Sequence, residues 1–193
     1  MKRIGVLASS RGTNFQAIID ACAAGRIPAQ PVVAISNNSK ALALERARRA
    51  GIAAVHLSSA THPDPAQLDL AIRDSLVEHG VDLVVTAGYM KKLGEQTLAA
   101  FRGCIINVHP SLLPKHGGQG MYGMNVHRAV IAAGDSMTGI TIHQVDVDYD
   151  TGAIIGQLSI PVLATDTPET LAARVLELEH DFLINTLAEL LDA

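Results

Sequence analysis

Between Lys2 and Phe101 the chain repeats one pattern four times: a short apolar run, a break at glycine or small polar residues, then a stretch of helical period. The runs are Lys2–Ala8, Pro31–Ile35, Ala53–Leu57 and Val81–Ala87. The first helical stretch carries Phe15, Ile18, Ile19 and Cys22 at i, i+3, i+4 and i+7, which puts them on one face. The others span about residues 40–50, 66–79 and 94–101; Leu68, Ile72 and Leu76 form the inner face of the third. This alternation predicts an α/β fold, a doubly wound, mostly parallel, Rossmann-like sheet with right-handed crossovers. Such sheets bind ligands at the carboxyl ends of their strands, near the switch point. The segments 9–14, 88–92 and 107–115 all fall on that edge.

The next strand, Cys104–Ile106, runs into Asn107-Val108-His109-Pro110. Alternation in an extended segment puts Asn107 and His109 on one face, with Val108 turned away. Pro110 and Pro114 fix two φ angles just beyond, so the chain leaving the pair is stiff. Gly117, Gly118, Gly120 and Gly123 then predict a mobile loop beside a rigid pair. A helix over 124–133 ends at Gly134, and two β-branched strands, 138–145 and 153–160, are joined by an acidic turn from Asp146 to Gly152. They predict a mixed or antiparallel C-terminal extension of the sheet. Thr167, Pro168 and Glu169 open a last helix that runs to about Leu191.

The chain has 193 residues, enough for one domain that buries roughly 70% of its unfolded surface without staples. Cys22 and Cys104 sit in apolar segments and are expected to be buried free thiols, consistent with a reducing cytoplasm. The amino end has an apolar run of only five residues, Ile4–Ala8, too short for a signal peptide or a membrane span. A net charge of −4, no tryptophan and only three each of tyrosine and phenylalanine argue against a nucleic-acid surface. Small-molecule partners are expected instead.

At the first strand-to-helix turn, Ser9-Ser10-Arg11-Gly12-Thr13-Asn14 offers free amides at a helix amino end, which suits a phosphate or serves as an ordinary turn. Thr13 and Gln16 fit a capping box. Around Asn107 the candidates for chemistry are His109, His143, Asp150 and, less well placed, Lys115. A histidine inside an apolar strand, as His143 is, more often packs than reacts. A carboxylate near His109 would hold an imidazolium and raise its pKa toward neutrality. The acids 146, 148 and 150 lack the glycine and glutamate positions of a calcium loop. His109, His116, His127 and His143 lack a short zinc-ligand pair, so no metal is expected.

The block Asn107-x-His109-Pro110-Ser111-Leu112-Leu113-Pro114-Lys115, with Asp150-x-Gly152 downstream and Ser10-x-Gly12-Thr13-Asn14 at the first turn, resembles the folate-dependent formyltransferases. The resemblance runs from Met1 to about Leu191 and is greatest to the branch that formylates glycinamide ribonucleotide in purine synthesis. It implies a single formyltransferase domain over 1–193, with no room for the additional domain that related branches carry. It also implies 10-formyltetrahydrofolate as co-substrate and no metal. In that reading Asn107 donates to the oxyanion, His109 is the acid that stabilises developing charge, and Asp150 sets its protonation and helps move the amine proton. His143 supports Asp150. Gly12, Thr13 and Asn14 hold the phosphate of the acceptor, and Glu179 meets its ribose or amine. The folate lies along Met90, Lys91, Lys92 and Leu93 and along the loop from Asp146 to Asp150. The implied partners are glycinamide ribonucleotide, reduced folate and, at most, a second copy of the chain in a homodimer, with no nucleic acid and no membrane.

The chain departs from the family pattern in four places. The segment between Lys115 and His127 is several residues longer than in the familiar bacterial version. Leu176 stands where a polar residue often helps with the ribose. The loop 62–65 lacks an arginine, and Lys91 replaces another.

Overall fold

A computed structural model describes residues 1–192. Seven strands form one sheet in the order β3-β2-β1-β4-β5-β6-β7. They are β1 (Lys2–Leu7), β2 (Ala29–Ser36), β3 (Ala53–His56), β4 (Leu83–Ala87), β5 (Ile105–His109), β6 (Met137–Gln144) and β7 (Ile154–Pro161). The first five pair in parallel and the last two antiparallel, which is the mixed extension expected from the acidic turn. The helices are α1 (Thr13–Ala23), α2 (Leu42–Arg49), α3 (Pro65–Glu78), α4 (Glu95–Ala100), α5 (Met124–Ala133) and α6 (Pro168–Asp192).

The inner strands read as unbroken apolar runs because each face of the sheet has its own core. Val85, Ile106 and Val108 pack with Phe15 and Ile18 of α1, Val130 of α5 and Leu171 and Val175 of α6. Val84 and Ile105 pack on the other face with Ile72 and Leu76 of α3 and with Phe101. Since Ile106 and Val108 go to one core and Ile105 to the other, Asn107 and His109 share the second face, as alternation requires. The order in which strands are added to the sheet reverses between the parallel neighbours β1 and β4, and the crevice outside their carboxyl ends is where the cavity opens.

Two local expectations are corrected. Thr13 does not cap α1: the cap position is Gly12, with φ +65°, and it makes no side-chain cap hydrogen bond. Gln16 turns outward to Asp20, 2.9 Å away, and takes a bond from Arg46. A side chain at residue 12 would press on the Ala43 backbone at 2.8 Å, so glycine is required there by both conformation and space. Cys104 is exposed rather than buried, because the strand begins one residue later, while Cys22 is half-buried; both are free. As expected from the sequence, Asn107 and His109 end the strand just before the stiff turn.

Candidate active site

A cavity of about 540 Å³ opens along the carboxyl edge of the sheet. One end is walled by the first turn, Gly12–Asn14, and by Glu179 of α6; the middle holds Asn107, His109, His143 and Asp150; the other end is walled by Met90–Leu93 and Asp146–Tyr149. The segment Gly118–Met124 closes it from the side. Of the residues named from the sequence, Asn107, His109, His143, Asp150, Gly12, Thr13, Asn14, Glu179, Met90–Leu93 and Asp146 line this one cavity, and Lys115 does not.

At its centre β5 and β6 pair so that Asn107 faces His143 and His109 faces Thr141. The Thr86 hydroxyl on β4 donates to Asn107 Oδ1 at 2.8 Å, so the amide presents its NH2 to the cavity. That NH2 lies 3.1 Å from His143 Nε2 and 3.5 Å from Asp150 Oδ1. His143 Nδ1 must carry a proton, because it donates to the Gln144 carbonyl at 2.7 Å. Likewise His109 Nε2 donates to the His116 carbonyl at 2.8 Å, which leaves Nδ1 facing Asp150 Oδ2 at 3.6 Å. Asp150 Oδ1 stands 3.4 Å from His143 Nε2, and Oδ2 accepts from the Gly118 amide at 2.9 Å. The turn beyond His109 is pinned by Thr141, whose hydroxyl donates to the Ser111 carbonyl and accepts from the Leu113 amide.

Burial decides the charge state of the imidazole. His109 is only 3% exposed, and desolvation pushes its pKa below the ordinary histidine value despite the opposing charge of Asp150. The expectation of a raised pKa is therefore corrected: at pH 7 His109 is a neutral base. Burial pushes the Asp150 carboxyl upward, but the His143 contact, His109 and the Gly118 amide outweigh it, and the group stays below the usual carboxylate range. With His109 neutral, the Gly118 amide that donates to Oδ2 helps hold Asp150 ionised.

At the other end, Asn14 Nδ2 donates to Glu179 Oε1 at 2.5 Å, and both residues are buried. Burial raises the Glu179 pKa against the opposing pull of Asn14. Asn14 Oδ1 is buried without a partner. Gly12 in the left-handed region leaves the first-turn amides of α1 without intrahelical partners. At the opposite end Lys92 Nζ lies 3.1 Å from Asp148 and 5.4 Å above the Tyr149 ring.

Lys115 points away from the cavity and pairs with Asp135 at 2.5 Å, so it is not part of the constellation. Sequence reasoning missed Thr86, which orients the amide, and His127, which lines the cavity from α5 with its buried Nδ1 unpartnered and its pKa lowered to about 4 by burial. Thr86 is a polar residue inside an apolar strand, and that was its available signal. Among the described residues no group of three or more histidine, cysteine or carboxylate side chains could hold a metal ion, and no helix is long and apolar enough to cross a membrane.

Solved structures with the same architecture include glycinamide ribonucleotide transformylase 1 from Symbiobacterium toebii, with a TM-score of 0.91 and 43% identity, covering 97% of this chain and 86% of that one. A protein named phosphoribosylglycinamide formyltransferase from Haemophilus influenzae is 42% identical over 180 residues, 93% of this chain and 82% of the relative. A chloroplastic protein of the same name from Vigna unguiculata is 41% identical over 189 residues, and the chain spans only 61% of its length. The family model described as formyl transferase matches residues 2–187, and the chain belongs to that family.

Proposed function

We propose that the protein transfers the formyl group of 10-formyltetrahydrofolate to the primary amine of glycinamide ribonucleotide. The observation that carries this reading is the convergence of Asn107 and His109 on Asp150, at 3.5 and 3.6 Å, in a cavity with an anion-suited turn at one end. The first-turn amides and the dipole of α1 suit the acceptor's phosphate. The paired Asn14 and Glu179 suit the hydroxyls or amine beyond it. The groove between Met90–Leu93 and Asp146–Asp150 suits the folate, with Lys91 at its mouth.

In this reaction the amine nitrogen attacks the formyl carbon, and the carbonyl electrons move to oxygen. The Asn107 NH2, held outward by Thr86, donates to that oxyanion; one such donor contributes about 3 kcal/mol to lowering the barrier. Neutral His109 takes the amine proton on Nδ1, and the adjacent Asp150 carboxylate stabilises the imidazolium that forms. The imidazolium then gives the proton to the folate nitrogen as the old carbon–nitrogen bond breaks. Holding both reactants in one cavity makes the step effectively unimolecular.

The test mixes purified protein with 10-formyltetrahydrofolate, with and without glycinamide ribonucleotide, and follows release of tetrahydrofolate. Release that requires the acceptor and yields its formylated product supports the proposal. Release of formate without an acceptor would make the protein a hydrolase, and release only with a different amine would change the acceptor.

A further inference from the structure

The two described residues other than glycine with a positive φ are His116, at +54°, and Asp150, at +57°. Both touch His109, one through its carbonyl and one through its carboxylate. A left-handed backbone is disfavoured for most residues with a side chain, so at His116 it persists only where surrounding contacts hold it. For Asp150 those contacts lie within the cavity. For His116 they lie outside it: the ring donates from Nε2 to Asp135 Oδ2 at 2.6 Å, just beyond the C-terminus of α5, and Lys115 Nζ meets the other oxygen at 2.5 Å. The His116 ring is mostly buried, and the Lys115 carbonyl is tied to the Ser111 hydroxyl at 2.6 Å.

Resting on the formyl-transfer reading above, we propose that the pair Asp135–His116 is a positioning device that sets the tautomer of His109. Asp135 anchors the His116 ring, and the anchored ring holds residue 116 in the left-handed conformation. That conformation aims the 116 carbonyl at His109 Nε2 while the Gly118 amide, two residues on, reaches Asp150 Oδ2 at 2.9 Å. A carbonyl can only accept, so it fixes the imidazole proton on Nε2 and leaves Nδ1 free to take a proton beside Asp150. Without the anchor, the carbonyl is free to swing away and the proton can sit on either nitrogen; molecules with Nδ1 already occupied cannot act as the base. The segment around residue 117 has little slack, because a Cβ there would stand 2.4 Å from Leu113 Cδ2.

The experiment uses the full chain labelled with 15N at histidine, comparing wild type with Asp135→Asn and His116→Gly. The His109 signals are identified by their loss in His109→Gln. Glycine at 116 keeps the left-handed backbone free of strain and removes only the anchored ring, so it separates anchoring from conformational preference. The wild type should show a protonated Nε2 and a bare Nδ1. In both variants the two signals should move toward each other as the tautomers mix, and kcat should fall about tenfold with both KM values within about twofold. Unchanged His109 signals in both variants overturn the proposal, and so does a fall in kcat without a change in those signals. If the wild type transfers no formyl group, the functional reading fails while the spectra still decide whether the pair sets the tautomer.

Discussion

The side chains that converge on the reaction volume are held in two different ways. Asn107 and His109 are delivered by a central strand whose flanking residues fill two cores, so their directions follow from the pleat. Asp150 and the groups of residues 116–118 arrive on loops, two of them from residues in left-handed conformations, and meet His109 over separations of 7 and 41 residues. Rigid elements fix where a side chain points; loops fix what it meets there. In the proposed reaction the strand supplies the reacting groups and the loops supply their charge state and tautomer.

The sharpest way to break that contrast is to remove the strand-borne groups. Asn107→Ala and His109→Ala should each lower kcat at least about a hundredfold, with the denaturation midpoint close to wild type, because each loses a contact made in the transition state. Near-normal turnover in both would dissolve the distinction and the proposed chemistry together. The loop-borne carboxylate should matter less. Asp150→Asn should lower kcat about thirtyfold and shift the acid limb of the kcat/KM profile. The sign follows from its charge: Asp150 raises the His109 pKa against burial, so removing the charge moves the limb to lower pH. A limb that moves upward would mean that another group titrates there.

The same contrast explains what could be read in advance. The doubly wound class and the shared face of Asn107 and His109 follow from periodicities of two and 3.6 that the chain displays locally. The His109 charge state did not, because it depends on how far burial outweighs the upward pull of a carboxylate 41 residues away and of a carbonyl from the next loop. Gly12 was legible as a turn residue but not as the cap itself, since the reason is the Ala43 backbone packed against it. Glu179 entered through family resemblance alone, and Asp150 was one of several candidates until the resemblance singled it out; nothing local marks a turn aspartate or a helix glutamate as facing a cavity.

Two buried groups on helices extend the contrast to stability. His127 has a pKa of about 4, so the folded protein resists a proton that the unfolded chain takes up below the ordinary value of 6.5. Stability from this group is present above pH 6.5 and is lost as pH falls toward 4. Replacing it with leucine should shrink the difference in unfolding free energy between pH 7 and pH 4 by about 2 kcal/mol, read from denaturant titrations; an unchanged difference would mean that His127 charges freely. Glu179 has the opposite sign. Its raised pKa means that the ionised form is disfavoured in the folded state, so its stabilising contribution is full below the unfolded value of 4.5 and fades as pH rises through the folded one. Glu179→Gln should therefore be more stable than wild type at pH 7, with the gap closing below pH 4.5. The same variant should raise the acceptor KM about tenfold through loss of a charge-assisted hydrogen bond.

The smallest effect belongs where two loops meet in solvent. Lys92 reaches across the folate-side mouth to Asp148 and over Tyr149, and both ionic partners are about half exposed or more. Exposed pairs of this kind contribute 0.2–1 kcal/mol and weaken with salt, and the aromatic contact adds a comparable amount. Lys92→Met keeps much of the stem over the ring and removes the charge. It should raise the KM for the formyl donor only about twofold at low ionic strength and less at 0.5 M salt, with kcat unchanged. A change in kcat would show that this clasp, like the anchored loop around His116, governs the reacting groups rather than the opening through which the folate enters.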